Sequence, residues 1–195
     1  MSQKLSVVGI VGMPGSGKTT TLEALSSTMG VKFVNMGDMV REQVSKKGLE
    51  LTAETLGNMA ELLRAERGPN VVAELTLEKV EEIAEDGDII IIDGLRSMAE
   101  VNFFRERWSF PLLAIFSPFC VRRARMHDRN RPDDNQEEDY CKIRDARELD
   151  FGVGDVIAMA DDMIINREET TADELIAQAE KSITRLLRDA CHDQC

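Results

Sequence analysis

The chain has 195 residues, 43% of them hydrophobic and 31% charged, the balance of one globular domain that can bury a core without metal or disulfide staples. Its formal net charge of −12 argues against general binding to nucleic acid or to an anionic membrane surface, and fits a solvated, self-repelling exterior. The first apolar run, residues 5–11, is too short to span a membrane and is followed by no signal-peptide cleavage pattern. A cytoplasmic protein, monomer or homodimer, is expected.

Residues 5–11 are β-branched and apolar and end at glycines, the pattern of a buried strand. A helix follows over residues 17–29, with Leu22 and Leu25 on one face, then a short strand over 31–34. Residues 38–47 read as a helix stopped by Gly48. Two more helical stretches carry Leu56, Met59, Ala60 and Leu63, then Val71, Val72, Leu75, Val80 and Ile83, with Gly68-Pro69 between them. The run Ile89-Ile90-Ile91-Ile92 has no polar alternation, as expected of a strand buried on both faces of a parallel sheet.

Helices are expected over 98–107, 119–128, 137–149 and 172–190, and strands over 112–116 and 163–165. Alternating strands and helices predict an α/β three-layer sandwich of about five parallel strands. Within this single domain, residues 36–85 read as acceptor-binding helices and 122–150 as an inserted arginine-rich lid.

The chemistry begins at Gly12-Met13-Pro14-Gly15-Ser16-Gly17-Lys18-Thr19. Glycines let backbone N–H groups turn inward around phosphate oxygens, the lysine bridges the outer phosphates, and the hydroxyl of Thr19 reaches Mg²⁺. The helix that starts beside Gly17 adds its positive end. Asp93 closes the isoleucine strand, where ligands of parallel sheets bind, and can hold Mg²⁺ through water. The same residue could instead cap a turn with Gly94. Gly94 stands where hydrolytic ATPases carry a water-activating glutamate, and no Asn-Lys-x-Asp guanine reader occurs near the last strand. Both observations favour a transferase that uses ATP.

Arginines 122, 123, 125, 129 and 131 fall within ten residues of an otherwise acidic chain. Arg122, Arg125 and Arg129 form one helical stripe, and Arg144 and Arg147 repeat the spacing. Such a cluster invites an anion, and arginine grips phosphoryl oxygens with a planar fork. Its alternative is pairing with Asp133, Asp134, Glu137 and Glu138 on a solvated surface, Arg123 first. The cysteines (Cys120, Cys141, Cys191, Cys195) lack paired metal-ligand spacing; Cys191-His192-x-x-Cys195 comes nearest, at the C-terminus, and free thiols are expected.

Three further segments are more particular: Gly37-Asp38-Met39-Val40-Arg41, Asp93-Gly94-Leu95-Arg96, and Ala160-Asp161-Asp162-Met163-Ile164-Ile165-Asn166. With the glycine loop, they make the chain resemble the nucleoside-monophosphate-kinase group of P-loop proteins over nearly its whole length. Within that group it is similar to an archaeal family related to adenylate kinase and dephospho-CoA kinase. The first segment is similar to the Gly-Asp-Met-x-Arg of adenylate kinases, which implies that Arg41 holds the acceptor and that Asp38 lies near its reactive oxygen. Asp38 has a second reading, as N-cap of a helix beginning at Met39. The second segment resembles Asp-Gly-x-Pro-Arg without its proline, implying acceptor binding by Arg96. The third resembles the strand that lies near the adenine in dephospho-CoA kinases. The pantetheine motif of those kinases and the zinc-type lid of large adenylate kinases are absent. The turn Phe151-Gly152-Val153-Gly154 belongs to the archaeal family's own pattern.

The expected ATP site is thus Gly12, Met13, Pro14, Gly15, Ser16, Gly17, Lys18, Thr19 and Thr20 with Arg122. Mg²⁺ would rest on Thr19 and Asp93, and a small nucleotide-like acceptor on Asp38, Arg41 and Arg96. Lys18, Asp38, Arg129, Arg131 and Arg144 are the expected catalytic residues. The rival to a kinase is an ATP-binding regulatory module or slow ATPase acting on a protein partner.

Overall fold

The structure is a computed structural model that describes residues 5–129 and 140–192. Five strands, β1 (Ser6–Val11), β2 (Lys32–Asn35), β3 (Ile89–Asp93), β4 (Leu112–Phe116) and β5 (Asp162–Ile165), form one sheet in the order β2-β3-β1-β4-β5. Every neighbouring pair is parallel. The helices are α1 (Lys18–Met29), α2 (Met36–Lys46), α3 (Ala53–Arg67), α4 (Val71–Ile83), α5 (Met98–Arg105), α6 (Phe119–Arg129), α7 (Tyr140–Asp150), α8 (Val153–Ala158) and α9 (Ala172–His192).

Side chains alternate across a strand, so the isoleucine run feeds two cores at once. Ile90 and Ile92 pack with Val7, Val11, Val40, Val72 and Phe104 on one side. Ile91 packs with Val8, Ile10, Leu22, Leu25 and Ile183 on the other. In α9 the buried residues Leu175, Ala179, Ile183 and Leu186 recur at helical spacing and close the second layer. Truncating a residue such as Ile91, which is fully buried, would cost about 2–5 kcal/mol.

The connection from β1 leads past β3 to β2, whereas that from β3 leads past β1 to β4. The two crossovers part between β1 and β3, and a crevice opens beyond the carboxyl ends of these strands. The glycine loop leaves β1 there and Asp93-Gly94 leaves β3 there.

Two elements differ from expectation. Helix α2 starts at Met36, not Asp38, because the Asn35 side chain caps it by accepting the Gly37 N–H at 2.8 Å. Asp38 is therefore not an N-cap; it lies in the first turn, where a negative charge suits the helix dipole. Helix α8 was not expected; it follows Gly152, whose φ of 98° is left-handed. Arg131, residues 133–139 and Cys195 fall outside the described residues.

Candidate active site

The glycine loop is shaped from behind. Asn166, at the end of β5, donates from Nδ2 to the Ser16 carbonyl at 2.8 Å, and Arg122 donates from Nη1 to the Pro14 carbonyl at 3.1 Å. A trans peptide points its N–H opposite its C=O, so these ties turn the N–H groups of Gly15 and Gly17 away from their holders. Glycine is required at both positions, with φ of 78° and 105°. A Cβ on Gly17 would come to 2.5 Å from Asn166 Nδ2. Lys18 Nζ folds over the loop, donating to the carbonyls of Gly12 (2.6 Å) and Met13 (3.3 Å). The Met13 side chain turns away into the core.

A cleft of about 470 Å³ opens in front of this loop. It is lined by Gly12, Pro14 and residues 15–20 together with Asn35, Arg41, residues 93–96, Arg144 and Glu148. The glycine loop and the segments carrying Arg41 and Arg96, expected to form donor and acceptor halves, thus share one cavity.

Asp93 lies at its base, 5% exposed. Its Oδ2 accepts from Asn35 Nδ2 at 2.9 Å, its register partner on β2, while buried Oδ1 has no hydrogen-bond partner among the described residues. Burial pushes the carboxyl above its usual pKa, opposed by the nearby Lys18 charge. An orphaned buried carboxylate oxygen is costly unless a cation or donor meets it. The Thr19 hydroxyl and the Asp93 carboxyl, which both belong to residues lining the cleft, are the hard oxygen donors that suit Mg²⁺. Among the described residues no cluster of three or more His, Cys, Asp or Glu side chains is placed to hold a metal by itself.

The arginines separate by role. Arg122 is buried and forked onto Asp145 of α7 (2.9 and 2.6 Å), with Nε on the Ser117 carbonyl at 3.1 Å. It does not line the cleft; its fork ties α6, α7 and the glycine loop together. Arg125, one turn on, does line the cleft, where it meets Asn166 Oδ1 (3.0 Å) and the Arg167 carbonyl (2.9 Å). Burial lowers its pKa from the usual arginine value. Arg123 is exposed. Arg129 ends α6, Arg131 lies outside the described residues, and Arg144 reaches the cleft from α7 with Nη1 on the Tyr140 hydroxyl at 3.1 Å.

Arg41 lines the cleft and pairs with Asp38 at 2.7 Å. Asp38 itself is exposed and stands outside the cleft lining. Arg96 is gripped by Glu148, through Nε at 2.8 Å and Nη2 at 3.3 Å. Asn35 and Glu148 thus line the cleft without a reading from sequence, and Arg125, read there only as one of the arginine stripe, joins them. Asn35 had a readable signal, an Asn between a strand and a helix; Glu148 had none, since nothing in its spacing announces burial.

Comparisons with known proteins bear on the family and the fold. A family model described as "AAA domain" matches residues 11–139. A UPF0200 protein of Thermococcus onnurineus is 43% identical over 165 residues, covering 82% of this chain and 88% of that protein. Another from Methanocaldococcus jannaschii is 38% identical over 183 residues, covering 94% and 91%. Among solved structures, a shikimate kinase from Acinetobacter baumannii superposes with a TM-score of 0.57 at 18% identity, covering 96% of each chain. A gluconokinase from Sinorhizobium meliloti does so with a TM-score of 0.55 at 15% identity, covering 99% of each. These two share the fold, a five-stranded parallel sheet with flanking helices of the P-loop kinase type. The chain therefore belongs to the AAA-domain group of P-loop proteins and, within it, to the archaeal UPF0200 family.

Proposed function

We propose that this protein is an ATP-dependent phosphotransferase that passes the γ-phosphoryl group to a small, anionic, nucleotide-like acceptor. One observation carries the reading: a single cleft joins the phosphate-binding loop to a second set of cations, Arg41, Arg96 and Arg144. A nucleotide switch has no use for a second anion site. Phosphoryl transfer needs little covalent chemistry from the protein; it needs both substrates positioned and charge neutralised.

The loop N–H groups and Lys18 take the ATP phosphates, and Lys18 leaves the loop carbonyls it now meets to do so. Thr19 and Asp93 would hold Mg²⁺, which would supply positive charge to the ATP phosphates. Arg125, between Asn166 and the Arg167 carbonyl, takes the donor's base end. Arg41 and Arg96 hold the acceptor's anion. Arg144, with Arg129 and Arg131, neutralises the moving phosphoryl group. Asp38 orients Arg41 through their ion pair; a phosphate acceptor needs no base.

The test is incubation with Mg-ATP and a panel of acceptors, read by mass. The panel holds nucleoside monophosphates, dephospho-CoA and small nucleosides, with shikimate and gluconate added for the kinases that share the fold. A phosphorylated product from one class supports the reading. ADP release at one slow rate with every compound rejects it.

A further inference from the structure

The segment 148–152, the end of α7 and the turn that leads into α8, is built around one side chain, Arg96. Glu148, only 6% exposed, takes the Nε–Nη2 edge of its guanidinium. The Phe151 ring stands 5.5 Å from the Arg96 guanidinium carbon and 5.4 Å from that of Arg64 on α3. Gly152, at φ 98°, lies beside the same residue: a Cβ there would meet the Arg96 carbonyl oxygen at 3.4 Å, an ordinary contact. From below, buried Glu100 accepts the N–H groups of Arg96 and Ser97 at 2.8 and 3.2 Å, with Arg64 at 3.9 Å from its other oxygen.

A guanidinium offers two edges to oxyanions, a side edge (Nε and Nη2) and an end edge (both Nη). Glu148 uses only the side edge. Among the described residues none takes Nη1, and both Arg96 and Glu148 line the cleft. Edge, face and backbone of Arg96 are therefore all restrained while its end edge remains open to a ligand. Such restraint lowers the entropy lost when an anion binds.

We propose that Glu148 and Phe151 are positioning residues of the acceptor site, holding Arg96 with its end edge presented to an acceptor oxyanion while Glu148 stays bound. The proposal rests on the acceptor role of Arg96. It gives the Phe151-Gly152 turn a physical purpose. It also makes α7 a link between the two halves of the cleft. One face of this helix carries Arg144 into the cleft, Asp145 to the loop-holding Arg122, and Glu148 to Arg96.

The test uses the full chain with its loop filled by a non-hydrolysable ATP analogue and Mg²⁺, and inorganic phosphate as the acceptor probe. Arginine side-chain ¹⁵N–¹H spectra give the Arg96 Nε–H signal, assigned by its loss in Arg96→Lys. In the wild type, phosphate should shift the Arg96 Nη signals while the Nε–H signal stays shifted and protected from exchange. Glu148→Gln should weaken phosphate binding about tenfold, the loss of one charge-assisted contact. Phe151→Leu should weaken it too, and Phe151→Tyr, which keeps the ring, should restore it.

Collapse of the Nε–H signal on adding phosphate, or tighter binding by Glu148→Gln, would show that Glu148 competes with the acceptor and overturn the proposal. Phosphate that leaves every Arg96 signal unmoved would instead remove its premise, the acceptor role of Arg96. The wild-type spectra decide between these outcomes even where a variant fails to fold.

Discussion

Asn35 holds two elements of the site with one amide: its Oδ1 caps α2 at the Gly37 N–H, and its Nδ2 binds Oδ2 of Asp93 at 2.9 Å. The residues are register partners on β2 and β3, so the bond follows from strand pairing. The other Asp93 oxygen is left without a partner among the described residues.

Asn35→Ala should therefore have two separable effects. Loss of the cap costs about 1 kcal/mol, a fall in Tm of about 2–4 °C for a chain of this size. The extra stabilisation that Mg²⁺ adds to ATP binding should also shrink, because Asp93 is no longer oriented. Thermal melts with ATP, with and without Mg²⁺, measure both. An unchanged Mg²⁺ increment would contradict the role given to Asn35.

Asp93 predicts a pH dependence whose sign is fixed by its burial. Its folded pKa lies above the unfolded value of about 3.9, so the folded chain keeps a proton that the unfolded chain releases. Stability is lost as pH rises from the unfolded toward the folded value. Asp93→Asn removes this loss. The apo variant should match the wild type near pH 4 and exceed it increasingly as pH rises, with a plateau above the folded pKa. Glu100, whose pKa burial also raises, is common to both proteins and cancels. Melts of the two apoproteins across this range test it, and a constant difference would be inconsistent with a folded pKa raised by burial.

Gly12 and Lys18 separate shape from chemistry within one loop. A Cβ on Gly12 would run into the backbone carbonyl of Ile115 and come to 2.8 Å from Ser16 Oγ. A backbone oxygen cannot rotate away, so Gly12→Ala should lose about 1–3 kcal/mol of stability. Lys18→Ala should leave the apoprotein's Tm nearly unchanged and remove most of the stabilisation by ATP, about 2.7 kcal/mol at a hundredfold excess over Kd. Differential scanning of both variants with and without Mg-ATP separates the two.

What was legible in the sequence was what local pattern encodes. The isoleucine run, the glycine loop and the alternation of strands with helices led to the observed five-stranded parallel sheet. Helix α8 escaped because six residues bracketed by glycine carry too little periodicity. The start of α2 was placed late because Gly37 hides the helix that Asn35 caps. The arginine stripe showed which residues share a helix face but not which of them meets Asp145, 23 positions on. Arg122 and Arg125 look equivalent in sequence, and only tertiary packing makes one a brace and the other part of the cleft wall. Glu148 shows the same limit, since its partner lies 52 residues earlier.

That division has a direct consequence. Arg122→Ala leaves Asp145 buried without its partner and should cost about 3–5 kcal/mol. Arg125→Ala removes a half-buried side chain, so its stability loss should be much smaller while nucleotide affinity falls. Chemical denaturation together with nucleotide titration of both variants distinguishes brace from ligand. Equal stability losses would contradict the assignment.

The central claim is that one cleft holds donor and acceptor at once, and the most direct test follows the γ-phosphoryl group itself. ATP labelled at the γ-phosphate is mixed with the protein, Mg²⁺ and the acceptor panel, and the label is traced. The account predicts that label enters one class of small anionic acceptor, that Lys18→Ala abolishes the transfer, and that Arg41→Ala raises the acceptor concentration required. Label appearing only in inorganic phosphate, at a rate no acceptor alters, would contradict it.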